Sequence, residues 1–142
     1  MKVFRVVLPV TDIGVAHTFY SGVTDQVGRR VSPGRLYYDC GGVILACYDA
    51  LADGDASRPL PSSEPLYFSV PDLVDVYRRC CLLGAAFSTQ VDPQVGNPGE
   101  IQNRAWGERS FYVSDPFGNS LCFVQEGTEL TAAIDPCGPA HW

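Results

Sequence analysis

Two kinds of hydrophobic rhythm run through this chain. In Arg109–Ser114 and Ser120–Gln125 apolar and polar side chains alternate: Phe111, Val113, Leu121 and Phe123 fall on one parity, Ser110, Tyr112, Ser114, Ser120 and Cys122 on the other. That period of two predicts a pair of half-buried strands. Asp115-Pro116-Phe117-Gly118-Asn119 between them reads as a tight turn. Elsewhere the period lengthens. Ile13, Ala16, Tyr20 and Val23 recur at three and four residues, as Leu73, Val76, Tyr77 and Cys80 nearly do. Each set predicts a helix with one apolar stripe to lay on a sheet.

Each helix follows an apolar run that ends in Val-x-Asp: Val10-Thr11-Asp12 and Val70-Pro71-Asp72. Each Asp is placed to cap the helix behind it. Strand-like sequence follows both helices. In the first half it covers 26–31, Arg35–Cys40 and Val43–Tyr48, with Pro33-Gly34 and Gly41-Gly42 as turns. In the second half it covers 86–91, a stretch near 100–104, and the two strands of the final hairpin. Residues 92–99 are rich in Pro, Gly and Asn and read as a loop. The order is βαβββ, linker, βαβββ. The modules span 1–50 and 65–126 within one domain of 1–126, the linker is 51–64, and 127–142 is a C-terminal tail. Neither module has enough elements to close a core alone, so the two must share one. A ferredoxin-like α+β fold strings its elements in a similar way and stays open at this point.

Charge and cysteine content narrow the function classes. A net charge of -6 argues against a surface that meets nucleic-acid phosphates. The first residues lead into an apolar run that Pro9 breaks, too short for a signal or a membrane span. We therefore expect a cytoplasmic location, no membrane or nucleic-acid partner, and reduced cysteines. The six cysteines form no CxxC or Cys/His pattern and read mostly as small core residues.

The final hairpin, Ser110 to Val124, and the paired Val-x-Asp entries resemble the vicinal oxygen chelate superfamily, which includes glyoxalase I, ring-cleaving dioxygenases and bleomycin-resistance proteins. The resemblance implies an α+β fold in which paired βαβββ modules form a curled sheet around a cleft. It also implies where a metal would be held in the superfamily's metal enzymes: on the first and last strands of each module. Here those positions read as Arg5, Leu45, Pro65 and Cys122. Arginine is protonated, leucine and proline carry no donor atom, and one thiol cannot hold a divalent ion. His17 lies on the first helix and His141 is the penultimate residue, so neither belongs on a cleft strand. No metal and no cofactor are expected.

Strand parity then gives the lining of the cleft: Arg5 and Val7, Tyr67 and Ser69, and Ser110, Tyr112, Ser114, Ser120, Cys122 and Val124. The opposite parity, Val6, Leu8, Leu66, Phe68, Val70, Phe111, Val113, Leu121 and Phe123, is apolar throughout and should pack under the helices. A Trp-Gly pair in Arg104-Ala105-Trp106-Gly107-Glu108-Arg109 resembles the bleomycin-resistance members, and Trp106 could stack on a ligand at the cleft mouth. The plainer alternative is that Trp106 caps the core and Gly107 makes the bend. Glu108 and Arg109 read as solvated charge. The expected ligand-binding residues are Arg5, Tyr67, Ser69, Trp106, Tyr112 and Cys122, with Arg5 meeting an anionic group. Arg5 reads equally as the partner of a nearby carboxylate. Cys122 reads as a reactive thiol if Arg5 lies close enough to lower its pKa, and more plainly as a small apolar filler. No nucleophile stands in a relay with a base, so no catalytic residue is named.

The expected function is a metal-independent small-molecule-binding protein of the glyoxalase/bleomycin-resistance type, one that sequesters an antibiotic or a metabolite. Two other readings stay open: a metal-dependent lyase, isomerase or dioxygenase of the same superfamily, and a degenerate non-catalytic interaction module. The resemblance also implies a homodimer, because many relatives build clefts between chains.

Overall fold

The structure, a computed structural model, describes residues 1–131. The first module contains β1 (Arg5–Pro9), α1 (Ile13–Thr24), β2 (Arg29–Ser32), β3 (Arg35–Cys40) and β4 (Val43–Tyr48). The second contains β5 (Leu66–Val70), α2 (Leu73–Leu82), β6 (Ala86–Phe87), β7 (Gln102–Asn103), β8 (Arg109–Ser114) and β9 (Ser120–Gln125). Each module folds into its own sheet, ordered β1-β4-β3-β2 and β5-β9-β8-β6, with β7 also paired to β8. The first strand of each module runs parallel to the last and, among the described residues, leaves its other edge open.

The repeated Val-x-Asp caps both helices. The Asp12 carboxylate accepts from the Val15 N–H at 3.0 Å and that of Asp72 from the Asp75 N–H at 3.1 Å. Helix α1 stops where Asp25 turns left-handed at φ 53° and its N–H reaches back to Ser21 O. Residues 26–28 are therefore a turn, and β2 begins later than the sequence reading of 26–31 placed it. Strand β6 is likewise two residues rather than the expected 86–91, because residues 88–91 leave the sheet for the loop.

One core joins the modules. Leu8, Leu45 and Cys47 from the first sheet, Phe111, Val113, Leu121 and Phe123 from the second, and the inner faces of both helices form a single buried cluster. These are the positions of the apolar parity, apart from β4, whose parity the sequence reading shifts by one. Leu45 stands opposite Val6 and is 2% exposed, so it faces the helices. The outer face of β4 is carried by Ile44 and Ala46, opposite Arg5 and Val7.

A polar knot also ties the modules. Asp115, in the β8–β9 turn, accepts from Phe117 N and Asn119 N through Oδ1, and from Asn119 Nδ2 and the Tyr20 hydroxyl through Oδ2. Asn119 also donates to Pro9 O and accepts from Ser62 N. Gly118 completes the turn at φ 89°, a conformation that a side chain would strain.

Candidate functional site

The outer face of each sheet lies opposite its helix, and the six residues singled out from the sequence divide between the two faces. On the first sheet, Arg5 lies 5.2 Å from the ring centres of both Phe4 and Tyr37. The ion pairs among the described residues are Arg35–Asp53, Arg58–Asp49 and Arg79–Asp75, so Arg5 is stacked on aromatic rings instead of being paired with a carboxylate. On the second sheet, Tyr67, Cys122 and Tyr112 form one cross-strand row, with the two phenol rings edge to face at 6.5 Å. Ser69, Val124 and Ser110 form the next row.

Trp106 sits at the tip of the β7–β8 hairpin. Arg104 N donates to Glu108 O, and Gly107, at φ 97°, donates to Arg104 O. The hairpin is thus closed by its own backbone. The indole N–H is fixed as well, donating to Glu108 Oε1 at 2.8 Å, while Glu108 Oε2 accepts from Leu130 N. Beneath the indole is a recess of about 510 Å³, bounded by Tyr67, Ser69, Trp106, Val124, Glu108 and Glu129. Ser69 Oγ donates to Glu129 Oε2 at 3.0 Å. The structure therefore brings Tyr67, Ser69 and Trp106 together, sets Tyr112 and Cys122 in the adjoining row, and leaves Arg5 on the other sheet.

Sequence reasoning missed two parts of this arrangement. Glu108, read as solvated charge, anchors the indole and the chain beyond β9. Arg104 is only 4% exposed and holds the loop before β8 in place. Its guanidinium donates to the carbonyls of Val95, Asn97, Glu100 and Ser110 and to the Ser110 hydroxyl. It also lies 5.4 Å from the centre of the Tyr112 ring. No sequence pattern distinguishes this arginine from its exposed neighbours.

Burial sets the electrostatics of the Tyr67–Cys122–Tyr112 row. The Cys122 thiol is fully buried and is pushed up to about 11, chiefly by desolvation, with Glu108 adding to the rise and Tyr112, Ser110 and Arg104 opposing it. At neutral pH it is a thiol, and the cation near it is Arg104 rather than Arg5. Burial also raises the Tyr112 phenol, helped by Cys122 and Tyr67. Both groups are neutral at neutral pH, and the buried Cys122 thiol is not a poised nucleophile.

The outer-face residues of β1, β4, β5 and β9 test whether a divalent ion could be held as in the metal enzymes of this fold. They are Arg5 and Val7, Ile44, Ala46 and Tyr48, Tyr67 and Ser69, and Ser120, Cys122 and Val124. None is a carboxylate or an imidazole, and one thiol alone does not hold a divalent ion. This donor set does not fit such an ion, even where two chains contribute.

No family model and no curated protein matches the chain, whereas many solved structures share its architecture. A glyoxalase-related enzyme from Fulvimarina pelagi is similar at 19% identity and a TM-score of 0.67, over 89% of this chain and 88% of that one. Lactoylglutathione lyase from Agrobacterium tumefaciens is similar at 18% identity and 0.62, over 88% and 93%. A glyoxalase/bleomycin resistance protein/dioxygenase from Nocardioides gives 18% and 0.62, over 94% and 90%. Two βαβββ modules, each with its own mixed sheet, therefore give this chain the fold of the glyoxalase, bleomycin-resistance and dioxygenase proteins, that of the vicinal oxygen chelate superfamily.

Proposed function

We propose that this protein binds a small organic molecule against its second sheet, without a metal and without transforming the ligand. The observation that carries this reading is the recess under Trp106. It has two aromatic walls, one hydroxyl and two carboxylates, at a volume within the range of small-molecule sites. The chemistry of the donor set supports metal independence, and a neutral thiol and phenol support binding over catalysis. Thermal shift against a library of small molecules tests the reading. A ligand at about 100 times its Kd adds ~2.7 kcal/mol of stability. Trp106→Ala and Tyr67→Ala abolish that gain, and a chelator leaves it intact. A stoichiometric divalent ion in the purified protein, with turnover of a dicarbonyl or a catechol, would overturn the proposal.

The protein is proposed to act as a homodimer. Among the described residues strands β1 and β5 each leave a sheet edge unpaired, and beside them runs a groove of about 830 Å³ whose lining includes the apolar Val3, Val6, Leu66, Phe68 and Val70 and, with them, Asp25, Asp39, Asp72, Asp75 and Arg79. Open edges flanking such a groove favour association over solvent exposure. A second copy is the occupant proposed. Sedimentation at micromolar concentration is expected to give twice the mass of the 142-residue chain, and a monomer there refutes the assembly.

A further inference from the structure

Arg5 led the sequence reading to expect an anionic ligand, yet the charges that border the recess have the opposite sign. Among the described residues its carboxylates are Glu108 and Glu129, and no lysine, arginine or histidine of those residues lines it. Neither glutamate belongs to an ion pair among the described residues. The nearby cation, Arg104, is buried behind Ser110 and Tyr112 with its N–H groups directed at carbonyl and hydroxyl oxygens. Arg5 is on the first sheet against Tyr37.

The aromatic walls point the same way. Trp106 is 37% exposed and Tyr67 57% exposed. The indole N–H is already donated to Glu108, so the ring has its π face left to offer. A π face attracts a cation, most strongly on tryptophan, and a carboxylate beside it adds a charge partner. Both glutamates accept backbone N–H bonds, from Leu130 and Gly127, which hold their negative charge at the recess wall.

We propose that the recess takes a flat organic cation, an aromatic or amidinium-like body bearing a positive group, with its face on Trp106 and its charge toward Glu129 and Glu108. This inference rests on the reading of the recess as a binding site and goes further in naming the ligand's charge.

Calorimetric titration with three probes of similar size tests it: phenyltrimethylammonium, benzyl alcohol and benzoate. The cation is expected to bind about tenfold tighter than benzoate. Raising NaCl from about 0.05 to about 0.5 M should weaken the cation and leave benzyl alcohol unaffected. Glu129→Gln keeps an acceptor for Ser69 and Gly127, whose bonds go to the same oxygen, and should reduce the cation's preference about threefold. Trp106→Ala should abolish cation binding. Tyr67→Ala, at an exposed position, provides a second variant should the tryptophan change disturb the hairpin. Saturable binding of benzoate equal to or tighter than that of the cation, still dependent on Trp106, overturns the charge assignment and leaves the recess as a site. Saturable binding by none of the three overturns the inference as well, while the library screen decides the broader reading separately.

Discussion

Tyr20→Phe probes the polar knot that joins the modules. The Tyr20 hydroxyl, in α1, reaches Asp115 Oδ2 at 2.5 Å across 95 residues of sequence, and both residues are buried. The substitution removes one oxygen from a full core position and leaves a carboxylate oxygen with one donor fewer. Oδ2 keeps Asn119 Nδ2, and Oδ1 keeps two backbone N–H groups, so the carboxylate is weakened and not orphaned. A hydrogen bond to a charged group contributes about 1.5–3 kcal/mol, and the partial satisfaction that remains places the loss near 2 kcal/mol. For a chain of this size that lowers Tm by about 7 °C. Asp115→Asn should cost more, about 3 kcal/mol, because an amide turned to keep the two backbone bonds presents its NH₂ to Asn119 Nδ2. Urea unfolding of the two single variants and the double variant measures the coupling. The expected m-value is unchanged and the coupling energy is at least about 1 kcal/mol. A Tyr20→Phe loss under about 0.5 kcal/mol, with additive singles, would refute the claim that this bond holds the modules together.

Two further outcomes follow from buried groups. Arg104→Lys keeps the charge but supplies three donors where the guanidinium serves the carbonyls of Val95, Asn97, Glu100 and Ser110; chemical unfolding should show a loss of at least about 2 kcal/mol, and a neutral result would mean the loop before β8 is held by other contacts. Stability should also fall in alkali: burial raises the thiols of Cys47 and Cys80 to about 12 and that of Cys122 to about 11, and raises the Tyr20 phenol as well. A folded-state value above the unfolded one means stabilisation present below the unfolded thiol value of about 8.5 and lost as pH rises through the folded values. The urea midpoint should therefore decline steadily between about pH 9 and pH 11, and a flat profile there would contradict the burial of these groups.

Much of the fold was legible because its local signals agree with its packing. The Val-x-Asp repeat marks two helix starts, and Asp12 and Asp72 cap them. Parity in the final hairpin separates Phe111 and Leu121 in the core from Tyr112 on the outer face. Boundaries were less legible where a tertiary contact decides them. Strand β6 stops at Phe87 because the next positions along β8 are already taken: Tyr112 N donates to Pro98 O, and Ser110 and Arg109 pair with β7. The Asp115-to-Asn119 turn was visible as a turn, but its service to Tyr20, Pro9 and Ser62 depends on chain segments remote in sequence.

The site was legible only as far as alternation reaches. Parity assigns a strand residue to a face, so it put Tyr67, Ser69, Tyr112 and Cys122 on one face of the second sheet; it does not say which sheet faces which, so it set Arg5 among them. Within the chain, Arg5 rests on Phe4 and Tyr37 of its own module. The carboxylates at the recess come from places without alternation, a hairpin tip and the segment after β9, and their positions follow from Gly107 reversing the chain and from Leu130 N meeting Glu108. The charge sign of the recess is thus a property of its rim and not of its strands. The sequence of the strands argues for an anion through Arg5, and the folded rim argues for a cation through Glu108 and Glu129. The rim has the stronger claim, because its two glutamates border the same space as Trp106 and Tyr67, and the arginine does not.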